Sequence, residues 1–331
     1  MRPGRPTCRA PVVSAGESGS EGRDAVNGLH KTGIPFCTRT WPVVRGCDNA
    51  LRCARNCWAK RDCWRMAHHS DPKIAEQFEG LTEKQCPPYC TEDCRPFYGA
   101  DASKRIDRCR SNRLMWTGLI RTYPELLDAP LGTRKPQVIF VAPQGDLALA
   151  DGATVSKIVR TIYMAIELGH EFLMLTKRPG LLVPMLPRPA FDAGRFDHLW
   201  LGVSCSRQAD FDERAGAICD PSSPGYWPGR RWVSLEPQLE AIDVSRWIGS
   251  LSWTVQGCES LAGRRPGRPF HWDWAAAVRR ECIEAGRPWW LKQVSQGGRV
   301  LEPVSMCGRL VRDAPEAIGA ILQKCSPVAP E

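Results

Sequence analysis

Between residues 138 and 294 short apolar runs alternate with longer stretches of mixed polarity. The runs are VIFVAP (138–143), EFLMLT (171–176), LWLGVS (199–204), RWVSLEP (231–237), LSWTVQG (251–257) and PWWLKQV (288–294). Runs of this length, bounded by polar turns, read as strands. Helical segments are predicted between most of them, over Thr154 to Leu168, Ser206 to Ile218 and Trp272 to Ala285. Gly169 and Gly286 follow two of these helices, where left-handed C-terminal caps are expected. Strand, helix, strand at this spacing predicts βαβ units and a parallel sheet. The segment TRTWPVVRG (38–46) supplies a seventh strand. No G-x-G-x-x-G follows any strand, so the α/β pattern favours a partial (β/α) barrel of six to seven parallel strands over a dinucleotide-binding sheet.

Outside these runs the pattern weakens. Residues 1–30 are rich in Gly, Ser, Arg and Pro without periodicity and read as a disordered leader, in which Cys8 is incidental. The barrel is expected over 31–300, interrupted by a Cys-rich insertion at about 70–135, with 301–331 as a C-terminal extension. The insertion holds QCPPYCTEDC, with Cys86, Cys90 and Cys94 at even intervals, and then Cys109. Pro87 and Pro88 break any helix there. Two readings stay open: a second metal site, or a polar loop with unpaired thiols, since no His or second C-x2-C completes a zinc pattern.

Composition narrows the setting. Of 331 residues, 43% are hydrophobic and 24% charged, which allows a packed core and excludes wholesale disorder. No apolar run approaches the length of a membrane-spanning helix. The N-terminus lacks the apolar core of a secretory signal, so a cytoplasmic protein without membrane attachment is expected. Thiols stay reduced there, and sixteen cysteines need a role other than disulfides. The formal charge of +9 favours contact with phosphates, including nucleic acid; scattered arginines on a solvated surface explain it equally well.

The candidate chemistry gathers at Trp41 to Cys63, which holds Cys47, Cys53, Cys57 and Cys63. Thiolates this close in a reducing compartment usually share a metal or an iron–sulfur cluster. Asn56 to His68 has helical character, which places Cys57 near a helix N-terminus, where backbone N–H groups favour an anion. In a parallel barrel the reactive groups lie at the C-terminal strand ends. Here those ends carry Gln144-Gly145-Asp146, Lys177-Arg178, Ser204-Cys205, Glu236, Gly257-Cys258-Glu259-Ser260 and Lys292-Gln293. Taken singly, each has a bland explanation as a loop charge, a turn cap or a strand terminator. Six strands ending this way together point to one polar mouth around the cysteine loop.

These motifs resemble the phage-associated, radical-SAM-like family known by its three-cysteine motif. That family begins W-N-P-x-T-G-C and carries two more cysteines before a Y-A pair. The matching residues are Trp41, Pro42, Gly46, Cys47, Cys57 and Trp58-Ala59. Further matches are FVAPQGDL (140–147), LTKRP (175–179), LWLGVS (199–204), Asp212-Glu213-Arg214, VSLEPQL (233–239), Ile242-Asp243, GCES (257–260) and WLKQ (290–293), in order across roughly residues 31 to 300. The resemblance implies a four-iron–four-sulfur (4Fe-4S) cluster on Cys47, Cys53 and Cys57, with one iron open to S-adenosyl-L-methionine. Reductive cleavage of the sulfonium would follow, with an electron donor such as a flavodoxin or ferredoxin. It also implies cofactor-binding roles for the mouth residues. Asp146, Glu236 and Glu259 suit the ammonium or ribose hydroxyls, Lys177 and Lys292 suit a carboxylate or a substrate phosphate, and Ser204 joins the set. A nucleic acid or nucleotide is the candidate substrate.

The chain departs from the pattern at the key loop. The family has C-x6-C-x2-C, whereas this chain has C-x5-C-x3-C, with Ala54 where the middle cysteine is expected. Asn is missing after Trp41, and Cys258 replaces a glycine. Three readings remain: Cys53 reaches an iron, Cys63 substitutes for it, or the chain is a degenerate barrel that has lost its cluster and acts as a binding partner. A zinc-binding nucleic-acid module is the alternative of another class, and the absence of C-x2-C knuckles counts against it.

Overall fold

The structure is a computed structural model that describes residues 12–13, 28–51, 57–85, 113–186, 195–260, 268–296, 299–303, 305–306, 309–310 and 312–325. Most of the expected leader, including Cys8, lies outside the described residues, as do Cys53, Cys86, Cys90, Cys94 and Cys109.

The fold is mixed α/β around one large, mostly parallel sheet. Its strands, labelled in chain order from residue 30, are β1 (His30–Lys31), β2 (Arg39–Trp41), β3 (Val138–Val141), β4 (Glu171–Thr176), β5 (Leu199–Ser204), β6 (Arg231–Leu235), β7 (Trp253–Gly257), β8 (Trp289–Gln296) and β9 (Arg299–Pro303). β2 to β8 are parallel neighbours in sequence order, so every crossover steps one place in the same direction. β1 and β9 flank them antiparallel, and Val12–Val13 pairs along β9. Among the described residues no ladder joins the two edges of the sheet.

The sheet is nevertheless strongly curled. Phe140 on β3 and Trp232 on β6 are three strands apart, a span of about 14 Å in a flat sheet. Their ring centroids lie 6.3 Å apart. The Phe36 ring sits within 6.4 Å of Phe140, Trp232, Trp253 and Trp290, and so touches β3, β6, β7 and β8 at once. This concave face is filled in its lower half by Val138, Phe140, Leu173, Trp200, Trp232, Trp253 and Trp290, and closed by Ile318 and Ile321 of the helix Glu316–Cys325. Gly202 is part of this packing: a Cβ there would lie 2.3 Å from the Trp232 indole.

The convex face alternates with the concave one, as strand geometry requires. Ile139, Val141, Phe172, Met174, Leu199 and Leu201 meet the crossover helices in one core. The helix Gly152–Ala165 shows why its segment folds so. Asp151 caps it by accepting from the Thr154 N–H at 2.8 Å. Val155, Ile158, Val159, Ile162 and Ala165 repeat at helical spacing and are buried. Gly169 then closes the following turn at φ +77°, and Gly286 does the same at φ +63° after Trp272–Glu284, as the sequence predicts.

A small satellite stands at the carboxyl edge. The helices Trp58–Ala67 and Pro72–Phe78 pack with the hairpin Thr82–Gln85/Arg113–Trp116 around Ala59, Cys63, Phe78, Leu81 and Trp116. The expected strand at 38–46 is split into β2 and Val44–Arg45, which pairs with Arg121–Thr122.

Candidate active site at the carboxyl edge of the sheet

The cysteine loop leaves β2 through a backbone that only glycine fits. Gly46 has φ +112°, and a Cβ on it would lie 2.1 Å from the Leu119 carbonyl oxygen. Its N–H donates to the Gln144 carbonyl at 3.1 Å, which ties the loop to the turn after β3. Cys47 follows, half-buried. Burial raises its thiol pKa; the Asn49 N–H and the Arg178 guanidinium oppose the rise.

Asp146 holds the second strand end. It is buried, and its carboxylate accepts from Thr176 Oγ1 at 2.7 Å, the Lys177 N–H at 3.1 Å, Arg178 Nη1 at 2.9 Å and the Ala148 N–H at 3.2 Å. Capping of a turn, the bland reading, is thus only one of its roles. Arg178 reaches on to Asp48 Oδ1 at 2.5 Å and to Cys47 Sγ at 4.0 Å. One guanidinium therefore joins the ends of β3 and β4 to the cysteine loop. Sequence reasoning singled out Lys177, yet it is Arg178 that turns inward. Alternation explains this, since Arg178 is two positions beyond Thr176 and shares its side of the chain.

At the other end of the mouth Lys292 Nζ donates to Glu236 Oε1 at 2.5 Å, with both side chains mostly shielded. Ser204 is buried beside them and donates to the Glu236 carbonyl at 3.4 Å. Gln293 donates to Ser260 Oγ at 2.8 Å and to the Cys258 carbonyl at 3.0 Å, closing the ends of β7 and β8 together. Glu259 takes a two-pronged contact from Arg268, Oε1 to Nη2 at 2.6 Å and Oε2 to Nε at 3.0 Å. Burial raises the Glu259 pKa, but the Arg268 hydrogen bonds and charge outweigh it, with help from Arg61, and the group titrates below its ordinary value. Cys205, Cys258 and Cys37 are buried, and desolvation raises each of their pKa values, Cys258 to about 12; they behave as packing.

The helix Trp58–Ala67 is tied to this mouth at its β3 end. Gln144 Nε2 donates to Asp62 Oδ2 at 2.5 Å at the β3 end, while the Arg61 charge acts on Glu259 beyond β7. Cys57 is its N-cap and makes no side-chain cap bond, as expected for a cysteine left free at a helix N-terminus. Cys47 and Cys57 both pack against the satellite core that contains Cys63. Cys63 itself is fully buried, and burial raises its pKa far above the ordinary thiol range, with the Arg45 charge opposing. Cys47 and Cys57 thus border one satellite core, Cys57 acting on the Cys63 thiol; Cys53, between them in sequence, lies outside the described residues. Among the described residues no three His, Cys, Asp or Glu side chains form a ready metal cage.

Arg45, Gln144, Arg178, Arg268 and Gln293 complete the site and were not among the predicted ligands. Arg178, Gln144 and Gln293 adjoin predicted residues in the sequence. Arg45 and Arg268 carry no local signal.

An open α/β sheet with a thiol-bearing, ion-paired mouth at its carboxyl edge defines the class of protein. The chain belongs to a protein family of unknown function, DUF5131, whose model matches residues 84–322. That match takes in β3 to β9 and all the mouth residues from Asp146 to Lys292, and leaves Cys47 to Cys63 outside it. No curated protein and no solved structure shows significant similarity to the chain. No helix among the described residues is long and apolar enough to cross a membrane.

Proposed function

We propose that the protein is a radical S-adenosylmethionine-type enzyme built on a partial (β/α) barrel. Cys47, Cys53 and Cys57 would hold a 4Fe-4S cluster above the mouth. The supporting observation is the Cys47 loop: Arg178 ties it to Asp146 across the ends of β3 and β4, and Gln144 anchors the helix that starts at Cys57 beside β3. Cys47 thereby adjoins the ion-paired strand ends, and Cys57 heads the helix anchored beside them. The curl of the sheet around Phe36 supports the barrel reading.

The residues present fit such a group in donor chemistry. Cys47 is half-buried beside a guanidinium, and the Cys57 thiol is free of cap bonds at a helix N-terminus whose unpaired N–H groups favour negative charge. Bound there, the cluster would supply a low-potential electron. The chain's own residues do the rest. Arg178 and Asp146 hold the Cys47 loop in register with the sheet. Glu236 and Lys292 present a carboxylate and an ammonium side by side, which suits the zwitterionic methionine end of S-adenosylmethionine, and Glu259 suits its ribose hydroxyls. The tryptophans beneath form an apolar floor that excludes water. The substrate is proposed to be a nucleic acid or nucleotide, on the strength of the +9 charge.

The test is anaerobic reconstitution of the full chain with iron and sulfide, followed by assay of both per chain. Cys57→Ala should lose the cluster, and Cys63→Ala should keep it. A cluster retained by Cys57→Ala, or stoichiometric zinc in place of iron, contradicts the assignment.

A further inference from the structure

The outer face of the helix Trp58–Ala67 differs from an ordinary solvated surface. At 3.6 residues per turn, Trp58, Arg61, Trp64, Arg65 and the C-cap His68 fall within about 120° of one another. Ala59 and Cys63 lie on the other side and pack in the satellite core. A surface helix usually gives its outer face to mixed charged and polar groups. Here that face carries cations and rings. The one acid of the helix, Asp62, lies at its margin and is taken up by Gln144 and by Arg65 at 2.6 Å. Lys84 joins the face from the hairpin, with Nζ 4.8 Å from the Trp64 ring centroid. Glu83 beside it alternates to the opposite side of the strand, where it accepts from Gln85 at 2.6 Å.

The rings differ in what they already touch. Those of Trp64 and His68 lie 4.2 Å apart, and His68 Nδ1–H donates to the Trp64 carbonyl at 2.8 Å, which holds the pair in place. Trp58 is 47% exposed, and among the described residues no ring or cation stacks on it. An exposed tryptophan alone is ordinary. One set among three cations on a single face is the arrangement that holds single-stranded nucleic acid. The cations meet phosphates, and the indole stacks on a base, whose π-face is open only in an unpaired strand. A membrane surface is the poorer fit, because the apolar side of this helix is buried in the satellite. An acidic peptide would use the cations and leave the indole idle.

We propose that this face binds single-stranded nucleic acid, with Trp58 stacking on a base and Arg61, Arg65 and Lys84 meeting phosphates. Gln144 ties the helix to the β3 end of the mouth, so the bound strand runs beside the site. The proposal rests on the nucleic-acid part of the proposed function and is independent of the cluster.

The experiment titrates the full chain, as purified, into labelled oligothymidine, labelled oligouridine and a DNA duplex of the same length, read by fluorescence anisotropy. Wild type should bind a single strand of either sugar more tightly than the duplex. Trp58→Ala should weaken single-strand binding about tenfold, and Trp58→Phe should stay within about threefold of wild type. Arg65→Gln should also weaken it, and should reduce the slope of log Kd against log salt by about 0.7. Photocrosslinking of a halogenated-uracil strand to wild type should fall on Trp58 or His68, a readout that needs no variant. Wild type that binds no single strand overturns the proposal, as does a duplex bound equally well. So do unchanged binding in Trp58→Ala, equal loss in Trp58→Ala and Trp58→Phe, or crosslinks confined elsewhere. Polyglutamate that displaces the strand as well as unlabelled oligothymidine does would assign the face to an acidic peptide instead. None of these readouts needs iron, so failure here is distinguishable from failure of the cluster.

Discussion

Removing the Arg178 guanidinium by Arg178→Ala tests how the cysteine loop is held. In the folded chain this side chain bridges Asp146 at 2.9 Å and Asp48 at 2.5 Å. Stripping one partner from a fully buried ion pair costs about 3–5 kcal/mol. Asp146 keeps three other donors, Thr176 Oγ1 and the N–H groups of Lys177 and Ala148, so the loss on this arm falls to about 2 kcal/mol. The Asp48 arm is 36% exposed on the carboxylate side and adds less than about 1 kcal/mol. With an unfolding entropy of about 2.1 cal/mol/K per residue, a loss of about 2–3 kcal/mol lowers Tm by roughly 3–4 °C. Thermal unfolding by circular dichroism measures it. A double-mutant cycle with Asp146→Asn should return a coupling of about 1.5–2 kcal/mol. A stability within about 0.5 kcal/mol of wild type, together with no coupling to Asp146, would falsify the clamp.

Three further outcomes follow from the same geometry. Among the described residues Lys292→Met leaves the Glu236 carboxylate only a 3.5 Å contact from Gln293, and should weaken S-adenosylmethionine binding at least about tenfold by calorimetry; Glu236→Gln should do the same, and unchanged binding in both variants removes the pair from the ligand site. Gly46→Ala must move the Leu119 carbonyl and should cost at least about 2 kcal/mol in urea unfolding. Gly118→Ala, at φ +92° with open space around it, is the control and should cost about 1 kcal/mol. Glu259 has its folded pKa depressed by Arg268, so its contribution is complete above its unfolded value and is lost as pH falls through the folded one. Arg268→Ala should therefore flatten the loss of stability measured below about pH 4.5; an unaltered acid profile would show that the pair is not formed.

The parallel sheet was legible because its strands are short apolar runs separated by capped helices. All seven expected parallel strands are present, in sequence order. The left-handed caps at Gly169 and Gly286 and the placement of Cys57 at a helix N-terminus were equally readable, since each depends on local chemistry. The curl of the sheet was not, because it depends on how Phe36 meets rings carried by four different strands. A partial barrel was expected from strand count, and strand count does not set the pairing of the edges. In the site, residues at strand ends could be named, but their partners could not. Arg268 finds Glu259 and Arg45 finds the Phe78 and Tyr123 rings only through the tertiary fold. The choice between Lys177 and Arg178 turned on strand alternation carried past Thr176, which composition does not reveal.

The central claim is that the cysteine loop over the mouth binds a cluster open to S-adenosylmethionine. Its most direct test is the EPR spectrum of the anaerobically reconstituted, dithionite-reduced chain, recorded with and without that cofactor. The account predicts a 4Fe-4S signal whose g-values shift when S-adenosylmethionine is added, because it occupies the iron that carries no cysteine. A colourless protein, or a cluster signal that the cofactor leaves unchanged, would contradict it.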